Sequence, residues 1–204
     1  SKFISTSDVL TLNGEDGGGI VFNNDAIFDH NSGTVTITTP AATSMDATGD
    51  SGNQFNNLIV NHASCILNLE TTGIVAGDLT ITNGEFKTNN NALTVTGTTS
   101  VSGTLTCNAS TVSLGSAVTS GYALTVNDGG TFTGGSGTHT IGSFNVSGSG
   151  SGGSMTLSSG NTTISSRNTS ASRFFEVSSN ANSFANGSGT LIFTTAAGSN
   201  IVLN

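Results

Sequence analysis

Charge, and above all positive charge, is scarce in this sequence. Of its 204 residues only 8% are charged, and four are cationic: Lys2, Lys87, Arg167 and Arg173. So few cations cannot form a basic surface that neutralises several phosphates, and we therefore expect no nucleic-acid binding. No apolar run approaches the ~18–20 residues of a membrane-spanning helix, and we expect no membrane insertion.

Residues that favour helices are scarce as well. Ala, Leu, Glu and Lys never combine with helical spacing over about 12 residues, a length below which helices are marginal. The sequence instead contains 33 Thr, 30 Ser, 28 Gly and 23 Asn, with Val, Ile and Phe placed between them. Low charge argues against intrinsic disorder, and β-branched and aromatic residues favour strands. An all-β fold is predicted.

A short unit of two apolar residues flanking a polar one recurs along the chain, as in Leu79-Thr-Ile81 and Leu93-Thr-Val95. Its apolar residues return about every 20 positions, in two columns. The first column is Leu58, Leu79, Val101, Leu124, Phe144, Ile164 and Phe184. The second column is Leu93, Val112, Phe132, Met155, Phe175 and Phe193.

This period predicts a parallel β-solenoid with coils of about 20 residues, whose strands stack at the ~4.8 Å spacing of neighbouring strands. Alternation then places each hydrophobic residue inside and the flanking Thr residues outside. Gly and Asn supply the corners, and Asn89, Asn90 and Asn91 suit a left-handed corner or a ladder of amides. A sandwich of hairpins is the alternative, but Asn-Gly hairpin turns are few.

The repeat divides the chain into two predicted parts. Residues 55–204 form the repetitive solenoid, whereas residues 1–54 keep the period less well and are predicted to be irregular initial coils or a cap. The Ser/Gly stretch at 147–154 lies between two units of the repeat and predicts an extruded loop. Since the chain starts without Met and stops inside an apolar run, we expect it to be a segment of a longer protein.

Cys65 and Cys107 are the two cysteines, and both are expected to be core thiols. A period of 21 residues places them in one column with Phe86, two coils and about 9.6 Å apart. That distance exceeds the ~7 Å limit for a disulfide, so no bond between them is predicted. His30, His62 and His139 lack ligand-type spacing, and no metal or other cofactor is predicted.

Six phrases of the sequence share a Thr-, Asn- and Gly-rich pattern. They are FDHNSGTVTIT at 28–38, FNNLIVN at 55–61, ALTVTG at 92–97, GTLT at 103–106, NASTVSLG at 108–115 and GTHTIGS at 137–143. These phrases resemble the repetitive extracellular proteins of marine bacteria and environmental phages. The resemblance covers most of the chain and implies a surface or virion location, as in β-solenoid adhesins and tail-fibre or tail-spike proteins. It supplies no catalytic residue.

The first functional hypothesis is a non-catalytic structural or adhesive module of a phage tail fibre or spike, or of a bacterial adhesin. A stacked solenoid gains length at constant cross-section, and a ladder of Ser, Thr and Asn suits sugar hydroxyls. Its partners would be a cell-surface glycan or flanking domains of the same protein. Because neither residues 1–3 nor residues 201–204 resemble a capping helix, we expect either that more chain exists or that chains associate, in a fibre as homotrimers.

An alternative is ice binding through outward Thr-x-Thr ladders, which offer regularly spaced hydroxyl and methyl groups. The spacing between these pairs argues against one shared face, and Thr is in any case a common exposed strand residue. The residues of this ice- or glycan-binding hypothesis are Thr80, Thr82, Thr94, Thr96, Thr104 and Thr106.

The third hypothesis is a glycan-cleaving β-helix enzyme, which would need a carboxylate pair. The acids of the regular region are mostly more than one coil apart, so no catalytic residue is predicted. Asp25, Asp29 and His30 form the one N-terminal cluster of interest. A weak calcium candidate is the loop containing Asp46 and Asp50, which lacks the Gly and the closing Glu of an EF-hand.

Overall fold

The computed structural model describes residues 2–14, 18–22, 27–47 and 54–194, and within them it contains 22 β-strands and no helix. The strands form three faces of a parallel β-solenoid. The predicted fold class is therefore confirmed.

The three faces contain the following strands. The first face contains β2 (Val9–Leu12), β5 (Thr34–Ile37), the first parts of β7 (Asn57–Leu69) and β9 (Leu79–Lys87), β11 (Thr99–Val101), β14 (Leu124–Val126), β17 (Phe144–Val146) and β20 (Phe175–Val177). The second face contains β3 (Ile20–Phe22), β6 (Ala42–Ala47), the last parts of β7 and β9, β12 (Thr104–Thr106), β15 (Thr131–Thr133), β18 (Ser154–Thr156) and β21 (Ser183–Ala185). The third face contains β8 (Gly73–Val75), β10 (Leu93–Val95), β13 (Val112–Leu114), β16 (His139–Ile141), β19 (Thr162–Ile164) and β22 (Leu191–Phe193).

Strands β1 (Lys2–Ile4) and β4 (Ile27–Asp29) extend the third face towards the N-terminal end. Phe28 of β4 packs against Phe55, at 5.5 Å between ring centroids, and Phe55 bridges in parallel to Val75 of β8. Strands β2, β5 and β7 continue in register on the first face. The described part of residues 1–54 thus forms coils of the same solenoid, while its status as a separate unit stays a prediction.

All pairings between these strands are parallel, and successive coils are roughly 23 residues apart. The interval varies along the chain: Leu93 pairs with Val112 after 19 residues, whereas Phe144 pairs with Phe175 after 31. Alternation places apolar side chains inside each coil, as in Leu105, Phe132 and Met155, which are fully buried. A narrow apolar core therefore runs along the length of the molecule.

The two predicted columns are only partly correct. Leu58, Leu79, Leu124 and Phe144 do share one ladder on the first face, although the intervening coil contributes Thr99. The other members of the first column lie elsewhere: Val101 beside it on the first face, Phe184 on the second and Ile164 on the third.

The second predicted column mixes all three faces. Leu93, Val112 and Phe193 lie on the third face, Phe132 and Met155 on the second, and Phe175 on the first. The reason is physical, because two long corners at residues 115–123 and 165–174 lengthen the later coils. A fixed period of 20 therefore drifts from one face to the next.

Both cysteines are free and buried. Their predicted common column is wrong, since the residues in register are Leu67, Phe86 and Leu105. Cys65 precedes Leu67 by two residues and Cys107 follows Leu105 by two, so the sulfurs belong to opposite ends of the second-face strands. Burial raises the pKa of both thiols, which keeps them protonated.

Corners use Gly and Asn as expected. Asn89 and Asn90 have φ angles of 47° and 66°, and the Asn89 side-chain amide donates to Asn68 Oδ1 at 3.2 Å. At Gly84, φ is 82°, and a Cβ would lie 2.5 Å from the carbonyl oxygen of His62. Only glycine fits that corner, because a side chain would be strained and would strike the neighbouring coil.

The Ser/Gly stretch is a corner between β17 and β18 that stacks on the corner before it. The backbone N–H of Gly129 donates to the carbonyl oxygen of Gly152 at 3.0 Å. The hydroxyl of Ser149 donates to Asp128 Oδ2 at 2.8 Å, and that of Ser147 to Oδ1 of the same carboxylate at 3.3 Å. The predicted loop is present, and these bonds fasten it to the preceding coil.

Candidate functional site

The second face carries a regular array of hydroxyl groups, which we call the hydroxyl ladder. It consists of the outward side chains of β12, β15 and β18 in three successive coils. Strand register aligns them in two columns. The rows are Thr104 and Thr106, Thr131 and Thr133, and Ser154 and Thr156.

The ladder follows directly from the local sequence. Each row has a polar-apolar-polar strand whose central residue, Leu105, Phe132 or Met155, is fully buried and fixes the outward direction of its two neighbours. Rows in a parallel sheet are about 4.8 Å apart, and residues i and i+2 of one strand are about 6.6 Å apart. The result is a two-dimensional grid of hydroxyl and methyl groups held by the backbone.

The ends of the ladder differ. On the N-terminal side the preceding row contains Glu85 and Lys87, which form an ion pair at 3.2 Å. Thr106 Oγ1 donates to Glu85 Oε1 at 2.7 Å and so connects this pair to the ladder. On the C-terminal side the next row is Ser183 and Ala185. Charge is thus confined to one end of the array.

A polar groove of about 440 Å³ runs along the corner between the first and second faces. Its walls include Ser64, Asn83, Glu85 and Thr104, so it opens directly onto the ladder. Gly103, in the two-residue corner between β11 and β12, also lines the groove. A ligand on the ladder could therefore extend into a recess that offers hydroxyl, amide and carboxylate groups.

The structure distributes the six predicted threonines over all three faces, two on each. Thr80 and Thr82 lie on or next to the first face, and Thr94 and Thr96 lie on or next to the third face. Only Thr104 and Thr106 belong to the hydroxyl ladder.

Sequence reasoning did not assign the other four members of the ladder to the site. The signal that identifies them is the corner between the second and third faces, which contains five residues in every coil from β9 to β22. Counting back six residues from His139 and from Thr162, across the five-residue corner, leads to Thr133 and Thr156, respectively. The more variable corners elsewhere hide this regularity when only the overall period is considered.

The N-terminal candidates have local partners. Asp29 forms an ion pair with Lys2 at 3.0 Å and accepts the N–H of Asn31 at 3.0 Å, and the hydrogen bond from Lys2 is the main cause that lowers its pKa. His30 Nδ1 accepts the N–H of Ser32 at 2.9 Å. Asp25 lies outside the described residues. Asp29 and His30 are therefore engaged in bonds that shape their own turn.

Of the two residues of the calcium candidate, the structure describes one. Asp46 Oδ1 accepts the hydroxyl of Thr71 at 3.0 Å, and Asp50 lies outside the described residues. Within the part of the chain that the structure describes, no group of three or more His, Cys, Asp or Glu side chains could hold a metal ion.

A second polar cluster, not anticipated from the sequence, joins Tyr122, Glu176 and Arg173. The Tyr122 hydroxyl donates to Glu176 Oε2 at 2.7 Å, and Arg173 Nη1 pairs with Glu176 Oε1 at 2.6 Å. Burial, followed by the bond to Glu176, raises the pKa of Tyr122 to about 12. The bond from Tyr122 is in turn the first cause that lowers the pKa of Glu176.

This cluster fastens the two long corners together across the short coil between them. Ser165 Oγ donates to the carbonyl oxygen of Ser116 at 2.9 Å, and Ser166 Oγ to that of Val118 at 2.6 Å. Thr169 donates both its N–H and its hydroxyl to the carbonyl oxygen of Thr119. Because Tyr122, Glu176 and Arg173 are bonded to one another, we assign the cluster a structural role.

Comparison with known proteins adds no relative. No family model matches the sequence, no curated protein matches it, and no solved structure matches its fold. Among the described residues, no helix is long and apolar enough to cross a membrane.

Proposed function

We propose that this chain is a non-catalytic structural or adhesive module of an extracellular protein, at a cell surface or in a virion, and that it binds glycan along the hydroxyl ladder. The observation that supports this is the ladder itself, three rows in exact register beside a polar groove. The partners are a cell-surface glycan or flanking domains, and the fibre form is a homotrimer.

Hydroxyl groups suit sugars because each one both donates and accepts a hydrogen bond. Strand pairing already fixes the backbone that carries the ladder side chains. Binding a ligand therefore costs little conformational entropy. Its three rows carry no charge, which favours neutral saccharides over phosphate or nucleic acid. Single contacts of this kind are weak, and repetition along a fibre raises the avidity.

Catalysis is less well supported by the geometry. Glu85 is paired with Lys87 and Thr106, whereas Asp78 accepts the N–H and hydroxyl of Thr98 at another corner. Glycoside hydrolysis needs two carboxyl groups about 5–10 Å apart facing one bond. Because Glu85 and Asp78 are bonded to separate partners at different places, we assign both carboxylates a structural role.

Glycan binding is tested by applying the purified chain to an array of immobilised saccharides. The double variant Thr131→Ala/Thr133→Ala removes the central row and should weaken the binding about tenfold, as two hydrogen bonds of ~0.5–1.5 kcal/mol each are lost. The matched control is Thr80→Ala/Thr125→Ala, which removes two outward threonines from the first face. Equal losses in both variants, or no bound saccharide, would contradict the proposal.

The same ladder supports a second candidate, ice binding. Five threonines and Ser154, in two columns on a regular grid, present hydroxyl groups over three coils, and the threonines add a methyl group each. If this is the function, the chain inhibits ice recrystallisation and Thr133→Tyr abolishes the effect, because the ring stands above the flat array. Inhibition that survives Thr133→Tyr, or is lost equally in Thr80→Tyr, would argue against this use of the second face.

A further inference from the structure

One column of the hydroxyl ladder continues in a straight line into the polar groove. The column contains Thr104, Thr131 and Ser154 in successive coils. Strand pairing places Glu85 next to Thr104 in the same column, and both residues line the groove. We call this line of four side chains the track. Its three row intervals, at ~4.8 Å each, span about 14 Å along the solenoid.

The track is bounded at both ends. Before Glu85 the column continues with Ile66, an apolar side chain in the wall of the groove. Beyond Ser154, the side-chain amide of Asn182 donates to Ser154 Oγ at 3.1 Å. The track therefore offers a ligand four consecutive polar rows between an apolar residue and a bonded amide.

Each row of the track retains hydrogen-bonding capacity. The hydroxyls of Thr104 and Thr131 make no hydrogen bond to any other described residue. Ser154 Oγ accepts one bond and keeps its own O–H to donate. Glu85 accepts the hydroxyl of Thr106 at 2.7 Å, and its carboxylate oxygens have further lone pairs for a ligand O–H. All four rows can therefore bond to hydroxyl groups of a ligand.

The charges of the track favour a neutral ligand. Glu85 is its one charged residue, and Lys87 already pairs with that carboxylate at 3.2 Å. An acidic sugar placed in the groove would face Glu85 on a chain whose net charge is −8. Like charges at such close range cost free energy, so acidic glycans are disfavoured.

The residue types of the track also determine how a sugar is held. The track contains no aromatic side chain, so a pyranose ring cannot stack on it as it would on an exposed aromatic ring. Binding then depends on hydrogen bonds repeated at the regular interval of the rows. A single sugar residue would bind weakly, whereas a chain of sugars that matches the interval would bind through every row.

The straight line of rows selects the linkage between the sugars. A pyranose linked equatorially through C1 and C4 is about as long as one row interval, ~4.8 Å, and chains of such residues are straight. Each sugar residue then meets one row of the track. A chain with α-1,4 linkages curves into a helix and leaves a straight track within a few residues.

We propose that the track binds four consecutive residues of a neutral, linear, β-1,4-linked glycan, one sugar residue per coil, with the fourth residue in the groove. The glycan chain runs parallel to the solenoid axis and crosses the strands. This ligand class rests on the glycan binding proposed above and adds the linkage, direction and length of the ligand.

The test is isothermal titration calorimetry of the full 204-residue chain with β-1,4-linked glucose oligomers of two to six units. Each unit adds the net effect of one or two neutral hydrogen bonds, so the affinity should rise about three- to tenfold per unit. The rise should stop at four units, where the track ends. The matched ligands are α-1,4-linked glucose oligomers of the same lengths, which should bind weakly and show no such rise.

Two variants test the two parts of the track. Ala63→Trp fills the groove from its exposed wall and should stop the rise in affinity at three units. Thr104→Val removes one hydroxyl at nearly constant shape and should weaken binding of the four-unit oligomer about three- to tenfold. The controls are Ala109→Trp, at the exposed corner between the second and third faces, and Thr80→Val on the first face. Both should bind as the wild type does.

The outcomes separate this inference from the proposed function. Equal affinity for α- and β-linked oligomers, affinity independent of length, or equal loss in the controls would overturn the inference. The proposed function would still stand if array binding depended on Thr131 and Thr133. A wild-type chain that binds no saccharide would overturn both. Circular dichroism verifies that each variant is folded.

Discussion

His139 has the most unusual environment among the inward-facing residues. Its register neighbours are Val112 and Thr162, and its ring packs edge-on against Phe132 at 6.1 Å between centroids. The side chain is fully buried, and neither ring nitrogen has a hydrogen-bond partner among the described residues. Desolvation penalises the charged ring and lowers the pKa to about 4. His139 is therefore neutral at pH 7.

This environment predicts a loss of stability in mild acid. Between pH 6.5 and about 4 the unfolded chain binds a proton that the folded chain does not, so the free energy of unfolding falls as the pH falls. The total loss is about 3 kcal/mol by pH 4. Urea denaturation at pH 7.5 and at pH 5 measures the first part of this change.

His139→Leu should remove most of that pH dependence and also stabilise the chain, since it replaces an unpartnered polar ring with an apolar side chain. The half-buried His62, whose Nδ1 accepts the N–H of Ser64, supplies the control variant His62→Gln. If His62→Gln flattened the pH profile and His139→Leu did not, the assignment to His139 would be wrong.

Strand lengths and corners explain what the sequence could predict. Alternation in triplets such as Leu93-Thr-Val95 identifies the strands and their inward residues, because a buried face selects every second side chain. The register between coils is a different matter. It depends on how many residues each corner contains. Nothing in the sequence of the corners at 115–123 and 165–174 indicates that the strand after each corner pairs again with the preceding coil. Alternation predicts that Thr131 and Thr133 point outward, but it does not predict their alignment with Thr104 and Thr106.

The hydrogen bond from Tyr122 to Glu176, which helps to join the two long corners, leads to a spectroscopic prediction. Tyr122 is the only tyrosine, so absorbance of tyrosinate reports on this residue alone. At pH 11 the native chain should keep Tyr122 protonated, since its pKa is raised to about 12, and unfolding in urea at the same pH should produce tyrosinate.

Glu176→Gln removes the carboxylate that accepts the Tyr122 hydroxyl and should lower the pKa of Tyr122. Circular dichroism in the same samples verifies that the solenoid remains folded. Tyrosinate in the native chain at pH 11, in the amount seen after unfolding, would contradict the buried and bonded hydroxyl.

The whole molecule is quasi-one-dimensional, because each coil contacts mainly the coil before it and the coil after it. The terminal strands β1, β2 and β3 have one described neighbour each, whereas β9, β11 and β14 lie between two. Local opening should therefore begin at the ends and reach the middle last.

Amide hydrogen exchange followed by mass spectrometry measures this order. Peptides from Leu79–Lys87 and Leu124–Val126 should exchange most slowly, and those covering Lys2–Ile4 and Val9–Leu12 most rapidly. Uniform exchange along the chain would instead indicate a single cooperative unit.

The parallel stacking of coils also determines how the molecule would respond to mechanical load. A pull on the two termini peels strands from the ends of the stack one coil at a time and does not shear the whole sheet at once. Each detached coil of roughly 23 residues releases about 78 Å of contour at ~3.4 Å per residue. A chain of this kind would lengthen in steps under tension and dissipate work at each step.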